Sequence, residues 1–258
     1  MLWKIDNTPH RVLGSVHVLP EDAVLPRWAA ESHIGMERFV FESDFRDPSA
    51  ASVGVDTSGA HLAMPGAAEL YARAAAFLAA NSVVDPFDGL RPWRAAFYMV
   101  ARLLPAAGLS HEHGMDNRLR LHADREQLPA RFLESPTRAF DLLDSSCKEA
   151  MGGLRFFEHA LTHAISGSGL AELQRIIRAW FASDLPALTV IYREKLAEFP
   201  ELFGPLITQR NREWIDTARP MIADRTTTLF VVSALHTVGP DSFIERLESE
   251  GFSLTKIS

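Results

Sequence analysis

An α/β fold, with a mixed central sheet formed by the N- and C-terminal segments, flanking helices and a large helical insertion, is what this 258-residue sequence predicts. Three observations lead there. Short apolar runs of strand character lie near both ends of the chain, over residues 2–5, 11–16 and 37–42 and again over 227–234 and 252–257. The stretch between them is dominated by helix formers with apolar residues at helical spacing. Neither end has enough strands to close a sheet alone, so a single domain over 1–258, with the helical insertion at about 67–221, is the expected organisation.

Taken in order, residues 2–5 and 11–16 read as strands joined by the turn-rich Asp6-Asn-Thr-Pro-His10, a hairpin. Pro20-Glu-Asp then opens a helix carrying Trp28 and Ala29, and Phe39-Val-Phe41 reads as a strand buried on both faces. Strand, helix, strand favours a right-handed parallel crossover. Residues 43–66 form a loop rich in Asp, Ser, Gly and Pro, either a functional excursion or plain surface. Residues 67–80 place Leu70, Ala74, Phe77 and Leu78 on one helix face. Arg91-Pro92-Trp93 starts a helix with proline in its first turn, running on through Phe97, Val100 and Ala101. Residues 115–123 are a further helix, and 131–134 a short strand closed by Ser135-Pro136. Helices follow near 137–151, 154–165, 170–182, 186–197 and 200–221. The strand at 227–234 leads to a helix capped by Asp241 and ended by Gly251, and 252–257 alternates as a last strand.

Composition narrows the function. Hydrophobic residues make up 47% and charged residues 23%, enough to build a core. The net charge of −7, without a basic run, speaks against nucleic acid as a partner. The single cysteine, Cys147, excludes an intramolecular disulfide and a cysteine-rich zinc site, and its surroundings suggest packing rather than catalysis. No stretch is apolar enough to span a membrane, and the first residues lack a signal-peptide pattern. The cytoplasm is the expected compartment, although an exported chain trimmed of its signal reads the same. A homo-oligomer is compatible with the sequence.

Two segments echo each other. Leu13-Gly-Ser-Val-His17-Val-Leu-Pro-Glu-Asp22 and Val232-Ser-Ala-Leu-His236-Thr-Val-Gly-Pro-Asp241 each run from an apolar strand to a histidine, with an aspartate five residues on. In open α/β sheets ligands bind beyond the carboxyl ends of strands, so His17 and His236 are expected to converge, with Glu42 at the end of its own strand beside them. Two imidazoles and a carboxylate suit a divalent metal carrying a water of lowered pKa. The same three suit metal-free acid–base work.

The opening Leu-Trp-Lys-Ile, Leu13-Gly-Ser-Val-His17, Phe39-Val-Phe-Glu42-Ser-Asp44, Arg91-Pro-Trp93, Gly114-Met-Asp116, Gln209-Arg-Asn-Arg-Glu-Trp214 and Ser233-Ala-Leu-His236-x-x-Gly239 together resemble, in order and over nearly the whole chain, the landmarks of the TraB/GumN (TIKI-like) family. The resemblance implies a site of the two motif histidines and the glutamate. For the TIKI branch it implies divalent-metal-dependent peptidase activity, with Mn, Co or Zn as the cofactor. Ser233 stands where the family usually has glycine, which would narrow the pocket or alter a backbone approach.

Supporting residues follow. Arg210 would hold a substrate carboxylate or oxyanion and Asn211 would donate to it; the plainer alternative is a salt bridge from Arg210 and core packing by Trp214. Trp214 shares the Arg210 face, and Asp116 either fixes a histidine tautomer or favours a helix start. Glu158-His159-Ala-Leu-Thr-His163 has metal-compatible spacing but not the zincin order, and reads as a solvated helix face. No nucleotide-binding glycine loop and no Gly-x-Ser-x-Gly elbow occurs. The expected function is a metal-dependent hydrolase of peptide or amide bonds, acting on a peptide or small molecule. The alternatives are a metal-free hydrolase of erythromycin-esterase type and a non-catalytic binder of a peptide or haem-like ligand.

Overall fold

The computed structural model describes residues 1–83, 89–148 and 152–258. They fall into two compact units. One comprises Met1–Arg46, Leu109–Pro136 and Arg175–Ser258; the other comprises Asp47–Gly108 and Thr137–Gln174. The helical segment expected over 67–221 is thus shared between both units.

In the first unit the chain begins with β1 (Leu2–Ile5) and β2 (Arg11–Ser15), the expected antiparallel hairpin, with Leu2 opposite Leu13. The helix expected from Pro20 does not form there. Residues Leu19–Pro20 are instead a short strand, β3, and helix α1 is confined to Arg27–Ala30 behind Pro26. A helix begun at Pro20 would hold Pro26 in its interior, where the missing N–H breaks the hydrogen-bond ladder, which accounts for the delay. β4 (Arg38–Phe41) follows.

The second unit is helical. The loop after β4 contains 3₁₀ turns at Pro48–Ser52 and Ala60–Ala63 before α2 (Ala67–Ala80). Then come α3 (Pro92–Leu103) and, later in the chain, α5 (Arg138–Lys148) and α6 (Gly152–Ser166). Residues 149–151 of the helix expected over 137–151 lie outside the described residues. Its core joins Leu70, Ala74 and Leu78 of α2 to Ala95, Ala96 and Met99 of α3 and to Leu154, Phe157 and Leu161 of α6. The helix expected to run on through Phe97, Val100 and Ala101 forms; it buries Trp93, Ala95, Ala96 and Met99, while Phe97 and Val100 are exposed. His159 and His163 lie half-buried on α6 with ring centres 3.9 Å apart.

Between the two stretches of that unit the chain returns to the first, as β5 (Leu109–Ser110) paired with β3, α4 (Met115–Arg125) and β6 (Ala130–Phe132). After α7 (Ser168–Phe181), α8 (Leu185–Glu198) and α9 (Pro200–Phe203), a π-helical turn over Gly204–Gln209 leads into α10 (Arg210–Ala223). The end is β7 (Thr228–Ser233), α11 (Phe243–Ser249) and β8 (Leu254–Lys256). Asp241 does not cap α11. It adopts a positive φ of 62°, and Ser242 caps the helix by accepting from the Glu245 N–H at 3.2 Å.

These strands form one mixed six-stranded sheet in the order β6-β4-β7-β2-β1-β8. β2 and β4 are not neighbours. The late strand β7 runs between them, parallel to both, and β6 extends the parallel set beyond β4. The alternation-free sequence of β7, Thr-Leu-Phe-Val-Val-Ser, is what a central strand covered on both faces needs. Ile215, Ala218 and Ile222 of α10, Phe243 and Leu247 of α11, and Leu119 and Ala123 of α4 share the core of this sheet. No helix among the described residues is long and apolar enough to cross a membrane.

Candidate functional site

Three adjacent parallel strands deliver the predicted residues. Ser15 lies opposite Ser233 and Phe41 opposite Val231, so β2, β7 and β4 end nearly level. Glu42 follows β4 directly, His17 comes two residues after β2, and His236 lies in the 3₁₀ turn Ala234–Thr237 after β7. Strand direction, rather than sequence proximity, brings them to one edge. Glu42 and His236 are buried, while His17 keeps 38% of its side chain exposed.

The Glu42 carboxylate is fully engaged. Oε1 accepts the Ser233 backbone N–H at 2.6 Å and Oε2 accepts Arg210 Nη2–H at 2.7 Å. Burial opposes its charge, but His236, Arg210 and His17, with the Ser233 N–H, outweigh that and hold the carboxyl at about 2. Glu42 is therefore an anion throughout the neutral range. His236 Nε2 is 3.9 Å from Glu42 Oε2.

His236 is oriented by Asn211. The Asn211 Nδ2 donates to the Asp241 carbonyl at 2.9 Å, which turns Oδ1 toward His236 Nδ1 at 2.7 Å. Nδ1 then carries the hydrogen and Nε2 the lone pair, which faces Arg210 Nη1 at 3.3 Å. Burial, aided by Arg210 and His17 against the pull of Glu42, lowers this imidazole to about 3, so it is neutral.

Arg210 is the hub. Besides Glu42 and His236 it donates from Nε and Nη2 to the buried Glu134 at 2.7–3.1 Å, and from Nη1 to the Leu206 carbonyl in the π-helical turn at 3.0 Å. Trp214 lies against it, with the guanidinium 4.7 Å from the ring centre, and the indole N–H donates to Glu134 Oε2 at 2.8 Å. The same indole packs on His236 at 4.4 Å between ring centres. Glu134 was not anticipated from sequence. Burial raises its carboxyl above the usual range, against the pull of Arg210 and the Trp214 N–H. The signal that marked Glu42 applies to it as well, an acid just beyond a parallel strand, but β6 is short and only half-buried.

His17 is held differently. Its Nδ1 lies 3.1 Å from Asp116 Oδ2, in the first turn of α4. Burial alone would lower this imidazole, but Asp116, through charge and hydrogen bond, and Glu42 through charge raise it to about 9. The pairing depends on Gly114. A Cβ there would stand 2.3 Å from the His17 carbonyl oxygen, whereas glycine lets the Met115 N–H reach the Val16 carbonyl at 2.8 Å. The first turn of α4 is thereby pinned beside His17.

Ser233 costs the backbone nothing, because its φ of −55° suits any residue. The glycine that the second motif cannot spare is Gly239, at φ 79°, where a Cβ would run into the Tyr192 ring at 2.4 Å.

The structure thus joins Glu42, Arg210, His236, Asn211, Ser233 and Trp214 in one hydrogen-bonded group, and leaves His17–Asp116 as a pair linked to it by charge. The ligand atoms of His17, Glu42 and His236 do not all lie within 4.8 Å of one another. Chemically, the arrangement offers a buried anion and a neutral imidazole behind a half-exposed imidazolium.

The sequence profile of the TraB/PrgY/gumN family matches residues 1–256. Neither a curated protein nor a solved structure matches the chain.

Proposed function

Because the chain belongs to the TraB/PrgY/gumN family, we propose that it is a metal-dependent hydrolase of peptide or amide bonds, with His17, Glu42 and His236 at its centre. The observation that carries this reading is that each histidine is tied through Nδ1 to an orienting partner, Asp116 or Asn211, beside a buried anionic Glu42. Ligating histidines are held this way in metal sites, which leaves Nε2 for the ion. Asp116 Oδ1 also lies buried without a hydrogen-bond partner, a polar atom suited to a water or ion nearby. By donor type, His17, Glu42 and His236 suit a divalent cation such as Mn, Co or Zn, which they would hold once their ligand atoms draw together and Arg210 leaves Glu42 Oε2. Such an ion supplies, when bound, a water acidic enough to yield hydroxide near neutral pH.

The chain's own residues have defined tasks in this reading. Asp116 keeps one proton of His17 on Nδ1. Asn211 keeps the Nε2 lone pair of His236 turned inward. Arg210, fixed by Glu134, stabilises negative charge developing on the substrate carbonyl oxygen. His17, being half-exposed, meets substrate arriving from solvent.

A specific observation favours a second reading, a metal-free hydrolase. Arg210 N–H groups already lie on Glu42 Oε2 and opposite His236 Nε2, the atoms a cation would need. Here the His17 imidazolium would act as the acid that protonates the leaving group.

One experiment separates them. Metal content by elemental analysis, and turnover of peptide, amide and ester libraries with and without chelator, are compared between the wild type and the His17→Ala, His236→Ala double variant. The first reading expects bound metal and chelator-sensitive turnover, both absent in the variant. Equal metal content in the two proteins with chelator-resistant turnover selects the second, and absence of turnover under every condition removes both.

A further inference from the structure

The helical unit holds a cavity of about 280 Å³, made entirely from its own residues. Its apolar wall comes from Met64, Pro92, Trp93 and Leu154, and its polar wall from Asp56, His61, Arg91 and Asp144. The volume is close to the lower end of ligand-binding pockets, roughly 300 Å³, and an apolar wall with a few convergent polar groups is the usual make-up of such a site. None of these residues takes part in the His17, Glu42 and His236 group.

The polar wall is selective in what it has left to offer. Asp56 Oδ1 accepts from the Ser58 backbone and hydroxyl, and Oδ2 from the His61 backbone and ring. Asp144 accepts two contacts from Arg91 Nη1, at 2.6 and 2.7 Å, and the Trp93 indole N–H at 3.1 Å. The acids are spent on their neighbours. Arg91 meets Asp144 through Nη1, and among the described residues no partner takes the N–H donors on its Nε and Nη2.

We propose that this cavity is a second small-molecule site, taking a compact, largely apolar ligand that carries one hydrogen-bond-accepting oxygen, a carbonyl or a carboxylate, toward Arg91. Arg91 gives direction to the ligand and Trp93, Met64 and Leu154 give contact area. A carboxylate gains charge attraction from Arg91 but also faces Asp56 and Asp144; a carbonyl avoids that repulsion. The Arg91-Pro-Trp93 landmark thereby acquires a role, with proline starting α3 and its two flanking residues building the wall.

The test uses phenylacetate and phenylacetamide as probes, titrated into the intact chain while the Met64 methyl resonance is followed by NMR. At least one probe is expected to shift Met64 with a Kd at or below about 1 mM, a reasonable affinity for so small a molecule. Which probe binds more tightly distinguishes carboxylate from carbonyl. Gly153→Leu places a side chain in the cavity wall, and its Cβ meets Cys147, Pro92 and Trp93 only at an ordinary 3.5 Å. It should weaken binding at least about ten-fold, and Arg91→Lys, which keeps the charge beside Asp144 but loses the spare donors, several-fold. No Met64 shift with either probe at roughly ten times that concentration overturns the proposal. So does binding unchanged in folded Gly153→Leu.

Discussion

Arg210 and Glu42 meet at 2.7 Å with only 6% and 5% of their side chains exposed, and the same guanidinium neutralises Glu134. One cation therefore serves two buried acids. Arg210→Met would leave both without their cation, with only the Ser233 N–H on Glu42 and the Trp214 N–H on Glu134, and breaking a buried pair from one side costs about 3–5 kcal/mol. Chemical denaturation at neutral pH should show a loss of that size, and acidification should recover part of it as the stranded carboxylates protonate. A loss below about 1 kcal/mol would mean that the cluster is solvated and the guanidinium is not its organiser.

His17 and His236 should make stability fall on both sides of mildly acidic pH. His17 is raised to about 9, so its contribution is complete below the ordinary 6.5 and is lost as pH climbs through 9. His236 and Glu42 are depressed, from 6.5 to about 3 and from 4.5 to about 2, so theirs are complete above the ordinary values and lost as pH falls toward the folded ones. Asp116→Asn should move the His17 titration down by about 1–2 pH units, read by NMR, and flatten only the alkaline limb. An unmoved titration would show that Asp116 does not set the His17 charge.

Gly114→Ala is expected to cost about 1–3 kcal/mol, because the added methyl has backbone, not a yielding side chain, in its way. Its signature is a downward shift of the His17 titration alongside the thermal destabilisation, since α4 carries Asp116 away from the ring. A stability loss without that shift would separate the close approach from the pairing.

Trp214→Phe keeps an aromatic ring against His236 and Arg210 but removes the N–H that Glu134 accepts. The cost should be about 1–3 kcal/mol, less than that of Arg210→Met, because Glu134 keeps its contacts to Arg210. Denaturation of the two variants side by side checks the order; a larger loss in Trp214→Phe would place the anchor in the indole.

Much of this arrangement is legible in the residues. Phe39-Val-Phe41 and Thr228–Ser233 announce buried strands, and the polar residues that follow such runs, Glu42 and His236, fall at the sheet edge by strand geometry alone. What escaped was decided by contacts between distant segments. Glu134 follows a three-residue strand that has little periodicity to read, and its importance comes from Arg210, far along the chain. The occupation of Glu42 and His236 by that arginine is likewise a matter of tertiary distance. The helix expected from Pro20 failed for a local reason, since Pro26 delays its start. Asp241 looked like a cap, but Ser242, one residue on, had the geometry.

The placement of β7 between β2 and β4 bears on how the molecule is made. A ribosome delivers the two outer partners early and the strand that unites them nearly last, so Leu13 must wait for Val231 and Phe39 for Leu229. Until then two apolar ribbons have unpaired edges open to wrong pairing, and closure over so long a separation is slow. Completion of the sheet edge that carries His17, Glu42 and His236 is therefore set by the arrival of the final segment, and a rearranged gene that encodes β7 beside β2 should shorten that wait.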